Sequence, residues 1–214
     1  MKIAVFGTGM VGSTIATKLV KLGHEVKMGS RAAGNAKGVE WAKANGAKAS
    51  QGSFAEAAAF GELAFNCTLG AGALAAVQAA KKELAGKILV DVSNPLDFSK
   101  GMPPSLFVCS TDSLGEQIQR ALPETKVVKA LNTVNANLMV DGASLEGDHD
   151  IFMCGNDAGA KGQVKEILTG WFGWKNVVDL GDLTGARAQE AFLLLWVRLY
   201  GALKTPMFNI HVAR

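Results

Sequence analysis

Lys2-Ile3-Ala4-Val5-Phe6-Gly7-Thr8-Gly9-Met10-Val11-Gly12, at the start of the chain, sets the expected architecture. Four apolar residues in a row, Ile3 to Phe6, are the pattern of a short strand buried on both faces. Glycines 7, 9 and 12 follow it in the spacing G-x-G-x-x-G, and an amphipathic helix over residues 11–22 follows them. Each glycine has its own physical reason in that setting: a tight first turn at Gly7, no side chain at Gly9, and close helix-to-strand packing at Gly12. The free N–H groups at the amino end of the helix then face an anion, and the anion that suits this arrangement is the diphosphate of a dinucleotide. Glycine is common in the chain, at 25 residues, so the spacing alone says little. Its place between strand and helix carries the inference.

The same alternation of apolar runs and helical patterns extends along the chain. Strands are expected at 2–6, 25–29, 47–50, 63–67, 87–92, 126–131, 150–154 and 176–180. Helices are expected at 11–22, 35–45, 54–60, 71–84, 113–122, 158–172 and 187–204. Ser113 stands three residues before Glu116, the spacing of a reciprocal helix cap. This is the order of an α/β protein with a doubly wound, mainly parallel sheet, the Rossmann fold. One domain over 1–214 is expected, with a core at 1–140 and a short α/β extension at 141–214. Residues 97–104 and 141–150 read as surface loops.

An NAD site carries Asp or Glu at the end of the second strand, about 20 residues after the glycines. This chain has Gly29-Ser30-Arg31 there. A carboxylate would repel a 2′-phosphate, whereas a hydroxyl and a guanidinium fork bind it, and Arg31 can also stack on adenine. NADP(H) is therefore expected. Lys37, with Asn35 nearby, either adds a second positive contact or is a solvated surface lysine. Cys67-Thr68-Leu69, Ser93-Asn94-Pro95 and Asn132-Thr133-Val134-Asn135-Ala136 stand at the ends of other core strands, where an open sheet places its ligand. Small hydroxyl and amide groups suit adenosine and then the nicotinamide carboxamide, although Asn94-Pro95 also reads as an ordinary turn.

No catalytic acid or base is singled out. His24, His149 and His211 lie away from the core strand ends, and neither a paired carboxylate nor a nucleophile motif stands out. Asp148-His149-Asp150 matches no metal-ligand spacing and reads as a solvated loop, so no metal site is expected. Hydride transfer between two stacked redox rings needs orientation and exclusion of water rather than an acid–base side chain. The composition excludes other classes. With 22 basic and 19 acidic residues and no run of like charge, nucleic-acid binding has no support. Cys67, Cys109 and Cys154 are too scattered for a disulfide framework or zinc ribbon, which fits a cytoplasmic protein. No apolar stretch has the roughly 20 residues of a membrane span, and Met1-Lys2 leads straight into a strand, so neither membrane insertion nor export is expected.

The glycine loop, Leu22-Gly23-His24-Glu25-Val26, Gly29-Ser30-Arg31 and Val127-Val128-Lys129-Ala130-Leu131-Asn132-Thr133 resemble the NADP oxidoreductases that depend on the deazaflavin coenzyme F420. The likeness covers almost the whole chain. The stretch Ala85-Gly86-Lys87-Ile88-Leu89-Val90-Asp91-Val92-Ser93-Asn94-Pro95 is also similar to the cytosolic reductase domain of six-transmembrane metalloreductases, which use NADPH and a flavin. By this resemblance the diphosphate lies on Thr8, Gly9, Met10 and Val11, and the 2′-phosphate on Ser30, Arg31 and Lys37. Adenosine lies beside Thr68, Ala71 and Ala75, and the nicotinamide approaches Asn94, Asn132 and Ala136. The hydride acceptor it implies is coenzyme F420 or a flavin, FMN or FAD. The archaeal deazaflavin enzymes have a histidine at the position of Asn132 and a proline at that of Asn135, so the acceptor pocket departs from theirs. Two rivals stand beside this reading: a reductase of a small carbonyl or imine substrate, and a non-catalytic NADP(H) sensor. The late helix is apolar nearly all round over 192–200, which suggests packing on a second copy as a homodimer.

Overall fold

The computed structural model describes residues 1–213. In chain order its elements are β1 (Lys2–Phe6), α1 (Met10–Lys21), β2 (Glu25–Ser30), α2 (Ala36–Asn45), β3 (Ala49–Ser53), α3 (Phe54–Phe60) and β4 (Leu63–Asn66). There follow α4 (Gly70–Gln78), α5 (Lys81–Leu84), β5 (Ile88–Asp91), β6 (Leu96–Asp97), β7 (Ser105–Leu106), α6 (Leu114–Ala121) and β8 (Lys126–Ala130). The last are α7 (Ala136–Val140), β9 (Asp150–Gly155), α8 (Ala158–Glu166), β10 (Asn176–Asp179) and α9 (Ala186–Leu203).

Eight strands form one sheet in the order β10-β9-β8-β5-β4-β1-β2-β3. β1 pairs in parallel with both β2, at Ile3 to Val26, and β4, at Ile3 to Leu63. The chain therefore winds outward from β1 in both directions, and the loops leaving β1 and β4 part to open a crevice at their carboxyl ends. The six strands β1 to β5 and β8 are parallel. β9 and β10 pair in parallel with each other but β9 runs antiparallel to β8, at Val128 to Gly155, so the carboxy-terminal segment extends the sheet with reversed polarity. This is a Rossmann α/β fold.

Alternation along the buried strands supplies both cores. Ile3 and Val5 point to one face, with Ile15 and Leu19 of α1, Trp41 of α2, Leu138 of α7 and Val164 of α8. Ala4 and Phe6 point to the other, under Ala57 of α3, Val77 of α4, Leu84 of α5 and Ile118 of α6. Each fully buried Leu, Ile or Phe contributes about 1.5–3 kcal/mol, so the sheet is a rigid platform for the loops above it. No helix among the described residues is long and apolar enough to cross a membrane.

Several local expectations are corrected. The helix expected over 71–84 breaks into α4 and α5 around Ala79 and Ala80, although alanine favours helix; both Ala80 and Leu84 reach zero exposure by turning inward there. The helix expected over 158–172 ends as α8 at Glu166 and passes into a wider turn, Ile167–Trp171, which buries Ile167, Leu168 and Phe172 together. The third strand lies at Ala49–Ser53, later than expected. The loop over 97–104 is held by the small hairpin of β6 and β7, and the short helix α7 was not foreseen. In the stretch 148–150 Asp148 is exposed as expected, but His149 is half-buried, its ring edge-on against Trp174 at 5.3 Å and its nitrogens 3.2 Å from the Leu145 carbonyl oxygen and from Asn209 Nδ2, and Asp150 is buried.

Candidate functional site

The turn after β1 shows why its glycines are required. Gly7 has φ of 109°, a left-handed conformation, and its N–H donates to the Gly29 carbonyl at 2.9 Å. A Cβ on Gly7 would meet the Cys67 carbonyl oxygen at 2.7 Å, and one on Gly12 the Gly7 carbonyl oxygen at 2.1 Å. Gly9 differs, since a Cβ there has no protein atom within 4 Å. Packing therefore forces glycine at 7 and 12, whereas at 9 the protein leaves open space. Gly9 is also the N-cap of α1, with no side-chain cap and no acidic residue in the first turn, so the N–H groups of that turn await an acceptor.

A cleft of about 850 Å³ lies along this turn. It brings together Gly7, Thr8, Gly9, Ser30, Arg31, Thr68, Ala71 and Ala75, with Phe54 and Leu69 beside them. Met10, Val11, Gly12, Lys37, Asn94, Asn132 and Ala136 are not on its wall. Gly12 acts from behind, by packing, and Lys37 is an exposed side chain in the first turn of α2.

Arg31 is exposed at the rim of the cleft, whereas Ser30 is only 6% exposed. The Ser30 hydroxyl donates to the Ala32 carbonyl at 2.7 Å, so its proton braces the loop. Gln51 of β3, which sequence reasoning missed, organises the same loop. Its Oε1 accepts the Gly34 N–H at 2.7 Å, and its Nε2 lies 3.4 Å from both Ser30 Oγ and the Ala32 carbonyl. The signal for it was weak, since a glutamine in an edge strand is unremarkable until the fold brings β3 beside β2.

Outside the cleft, at the ends of β5 and β8, Asn94 and Asn132 bond each other reciprocally: Asn132 Nδ2 donates to Asn94 Oδ1, and Asn94 Nδ2 to the Asn132 carbonyl, both at 2.9 Å. Asn132 is 1% exposed, and its amide also engages Gln189 of α9, donating to the Gln189 carbonyl and accepting from Gln189 Nε2 at 3.1 Å each. Asn94 is half-buried and is the member of the pair that reaches solvent. Thr68 spends its hydroxyl proton inward, on Asn66 Oδ1 at 2.6 Å.

Two carboxylates that the sequence does not single out meet one buried lysine. Beneath Asn94, Lys129 of β8 lies between Asp91 of β5 at 2.8 Å and Glu190 of α9 at 2.7 Å, the side chains no more than 2% exposed. Burial is the largest influence on the Lys129 ammonium and pulls its pKa down, but the two carboxylates outweigh it and hold the group above the ordinary lysine value. Burial also pushes the Cys67 thiol far up, and the Cys154 thiol up to about 12, so neither is a thiolate nucleophile at neutral pH. A signal for the triad was present in the sequence. Asp91 directly follows the apolar run Ile88 to Val90 and Lys129 interrupts the apolar run from Val127 to Leu131, and such charges are buried only when paired.

A Rossmann sheet with an uncapped helix end, a glycine-forced turn and a cationic rim is the architecture of a dinucleotide-binding protein. The model for the family described as NADP oxidoreductase, coenzyme F420-dependent, matches residues 2–95. The F420-dependent NADP reductase of Methanocaldococcus jannaschii is 31% identical over 208 residues, covering 93% of this chain and 92% of that protein. A crystal structure from Arthrobacter sp. FB24, described as a candidate F420-dependent NADP reductase, superposes with a TM-score of 0.94 at 50% identity, with both chains fully covered. Rat metalloreductase STEAP3 is 29% identical over 205 residues, 96% of this chain but 38% of that protein. The chain belongs to the family of F420-dependent NADP oxidoreductases, and it is an NADP-dependent oxidoreductase.

Proposed function

We propose that this chain transfers a hydride directly between NADP(H) and a flavin-type ring acceptor, coenzyme F420 or a flavin. The names of the relatives support F420 as the first acceptor to test. The residues fit the dinucleotide: the open space at Gly9 and the uncapped α1 N–H groups suit its diphosphate, and the exposed Arg31 suits its 2′-phosphate. Gly7, Thr8, Gly9, Met10, Val11 and Gly12 form the diphosphate loop, Ser30 and Gln51 hold the phosphate loop in place, and Lys37 adds positive charge nearby. Thr68, Ala71 and Ala75 take the adenosine side. The nicotinamide end lies beside Asn94, with Asn132 bracing it and Ala136 opening α7 behind. When bound, NADPH supplies the hydride that, with a proton from water, reduces the acceptor ring.

The observation that carries the reading is that the charges of the Asp91, Lys129 and Glu190 cluster are sealed. Asp91 and Lys129 have fully enclosed side chains and Glu190 is 1% exposed, so they do not exchange protons with a substrate in the cleft. A carbonyl gathers negative charge on oxygen as hydride arrives and calls for a proton donor at that atom, whereas a conjugated ring delocalises the charge and can take its proton from water afterwards, so that orientation matters most. The test is loss of reduced-nicotinamide absorbance with F420, FMN, FAD, a ferric chelate, a keto acid and an imine offered in parallel, beside an NADH control. Turnover with F420 or a flavin and NADPH supports the reading. Turnover confined to the carbonyl or imine overturns it, and NADPH binding with no turnover at all would favour a sensor.

We also infer that two copies pair through the second half of α9, where Leu194, Leu195, Tyr200 and Leu203 are 44–53% exposed. Light scattering of wild type against Leu195→Glu tests this, with a dimer expected for the first and a monomer for the second.

A further inference from the structure

The Lys129 ammonium donates to Asp91 Oδ2 at 2.8 Å and to the Ser93 carbonyl at 2.5 Å, and it forms an ion pair with Glu190 Oε1 at 2.7 Å. Each partner leads on to a further segment, and one of these, at Thr68, lines the cleft. The other oxygen of Asp91 accepts Asn66 Nδ2 at 2.8 Å and the Ser93 N–H and hydroxyl at 3.2 and 2.7 Å, and Asn66 in turn receives Thr68. Glu190 accepts the Leu114 and Gly115 N–H groups at 2.8 and 3.0 Å, fixing the start of α6. Its neighbour Gln189 holds Asn132. Asn94, one residue past Ser93, is pressed from the remaining side by α4, where a Cβ on Gly70 would come within 1.9 Å of the Asn94 carbonyl oxygen.

An apolar cluster would fill this volume at no desolvation cost, so a buried ion triad is weak evidence for stability. What it supplies is direction. Hydrogen bonds fix the carbonyl and hydroxyl of Ser93 to within a fraction of an ångström, and a hydride acceptor and donor tolerate misplacement of about 1 Å poorly. We propose that Lys129, with Asp91 and Glu190, is a positioning device for the nicotinamide end of the cofactor: it fixes Ser93, Asn94 and Asn132 without touching the ligand. This rests on the placement of the nicotinamide beside Asn94 proposed above. On the adenosine side the triad reaches only as far as Thr68, through Asn66, whereas the loop braced by Ser30 and Gln51 beside Arg31 makes its hydrogen bonds within itself.

The test compares two probes by titration calorimetry: NADPH, and adenosine 2′,5′-bisphosphate, which keeps the adenosine and the 2′-phosphate but has no nicotinamide. Lys129→Met is examined beside the neutral combination Asp91→Asn, Lys129→Met and Glu190→Gln, which leaves no buried charge unpaired. The expected result is NADPH binding at least tenfold weaker with bisphosphate binding within twofold of wild type, and kcat for NADPH oxidation at least tenfold lower. Parallel weakening of both probes, no weakening of either, or failure of both variants to fold would reduce the triad to a part of the core and overturn the proposal. Asn94→Ala separates the two readings. If it leaves NADPH binding unchanged while the neutral combination still weakens NADPH alone, the placement at Asn94 fails and the triad's role stands.

Discussion

Alanine at Gly9 and alanine at Gly12 should separate ligand space from packing within one turn. At Gly12 the new methyl would lie 2.1 Å from the Gly7 carbonyl oxygen and 2.9 Å from its carbonyl carbon. Gly7 cannot yield easily, since its N–H is tied to Gly29 and the space where a Cβ would stand on it is already closed by the Cys67 backbone. Overpacking costs about 1–3 kcal/mol, and a contact this close on backbone belongs at or above the top of that range. Alanine in a helix returns about 1 kcal/mol. The net loss is about 2 kcal/mol, and for a chain of this size about 2–4 °C of Tm accompanies each kcal/mol, so Tm falls by about 4–8 °C. At Gly9 the backbone, with φ −82° and ψ −175°, suits any residue and no atom lies within 4 Å. Alanine is a poorer N-cap than glycine by up to about 1 kcal/mol, so Tm falls by less than about 4 °C. NADPH binding nevertheless weakens at least about tenfold, or about 1.4 kcal/mol, because the methyl enters the diphosphate's space. Scanning fluorimetry and calorimetric titration on both variants read these quantities. Gly9→Ala binding NADPH within twofold of wild type, or Gly12→Ala melting with wild type, would refute the reasoning.

Other outcomes follow from the same geometry. Arg31→Asp weakens NADPH at least about tenfold and NADH less than about twofold, since it removes a charge-assisted contact and adds repulsion only for the 2′-phosphate; equal weakening by titration would misplace that phosphate. Gln51→Leu raises KM for NADPH about threefold to tenfold with kcat unchanged, the worth of one or two hydrogen bonds at about 0.5–1.5 kcal/mol each, and steady-state kinetics showing a fall in kcat alone would contradict it. Glu116 is held below its ordinary pKa of 4.5, chiefly by its hydrogen bond to Arg187. A depressed carboxylate stabilises the fold fully above its unfolded pKa, and that contribution is lost as pH falls through the folded value. Arg187→Met therefore melts lower than wild type at neutral pH, and the gap narrows below about pH 4.5; a gap that widens with acid would be the wrong sign.

Most of the frame was legible because it rests on local pattern. Ile3 to Phe6 can hardly be other than a buried strand, and of the glycines after it Gly7 and Gly12 answer a steric demand of the fold, while Gly9 leaves open space. Arg31 was legible as a charge at a strand end, and it does stand on the rim. Contacts that depend on distant parts of the chain were not legible. Ser30 reads as a phosphate donor in isolation, yet its proton goes to Ala32, and Gln51, 21 residues away, completes that loop. Asn132 reads as a ligand group, yet Gln189, 57 residues on, encloses it. The break between α4 and α5 has no local cause, because tertiary burial of Leu84 overrides alanine's helix preference.

Direct transfer between rings is tested most sharply with NADPH carrying deuterium on the transferring face of its nicotinamide C4. A deazaflavin accepts hydride at carbon, where the label does not wash out into water. In ordinary water, reduced F420 formed by this chain should retain the deuterium, and the same label offered on NADH should transfer far more slowly. Reduced F420 free of deuterium, or no reduction of F420 or any flavin while a carbonyl or imine substrate turns over, would contradict the account.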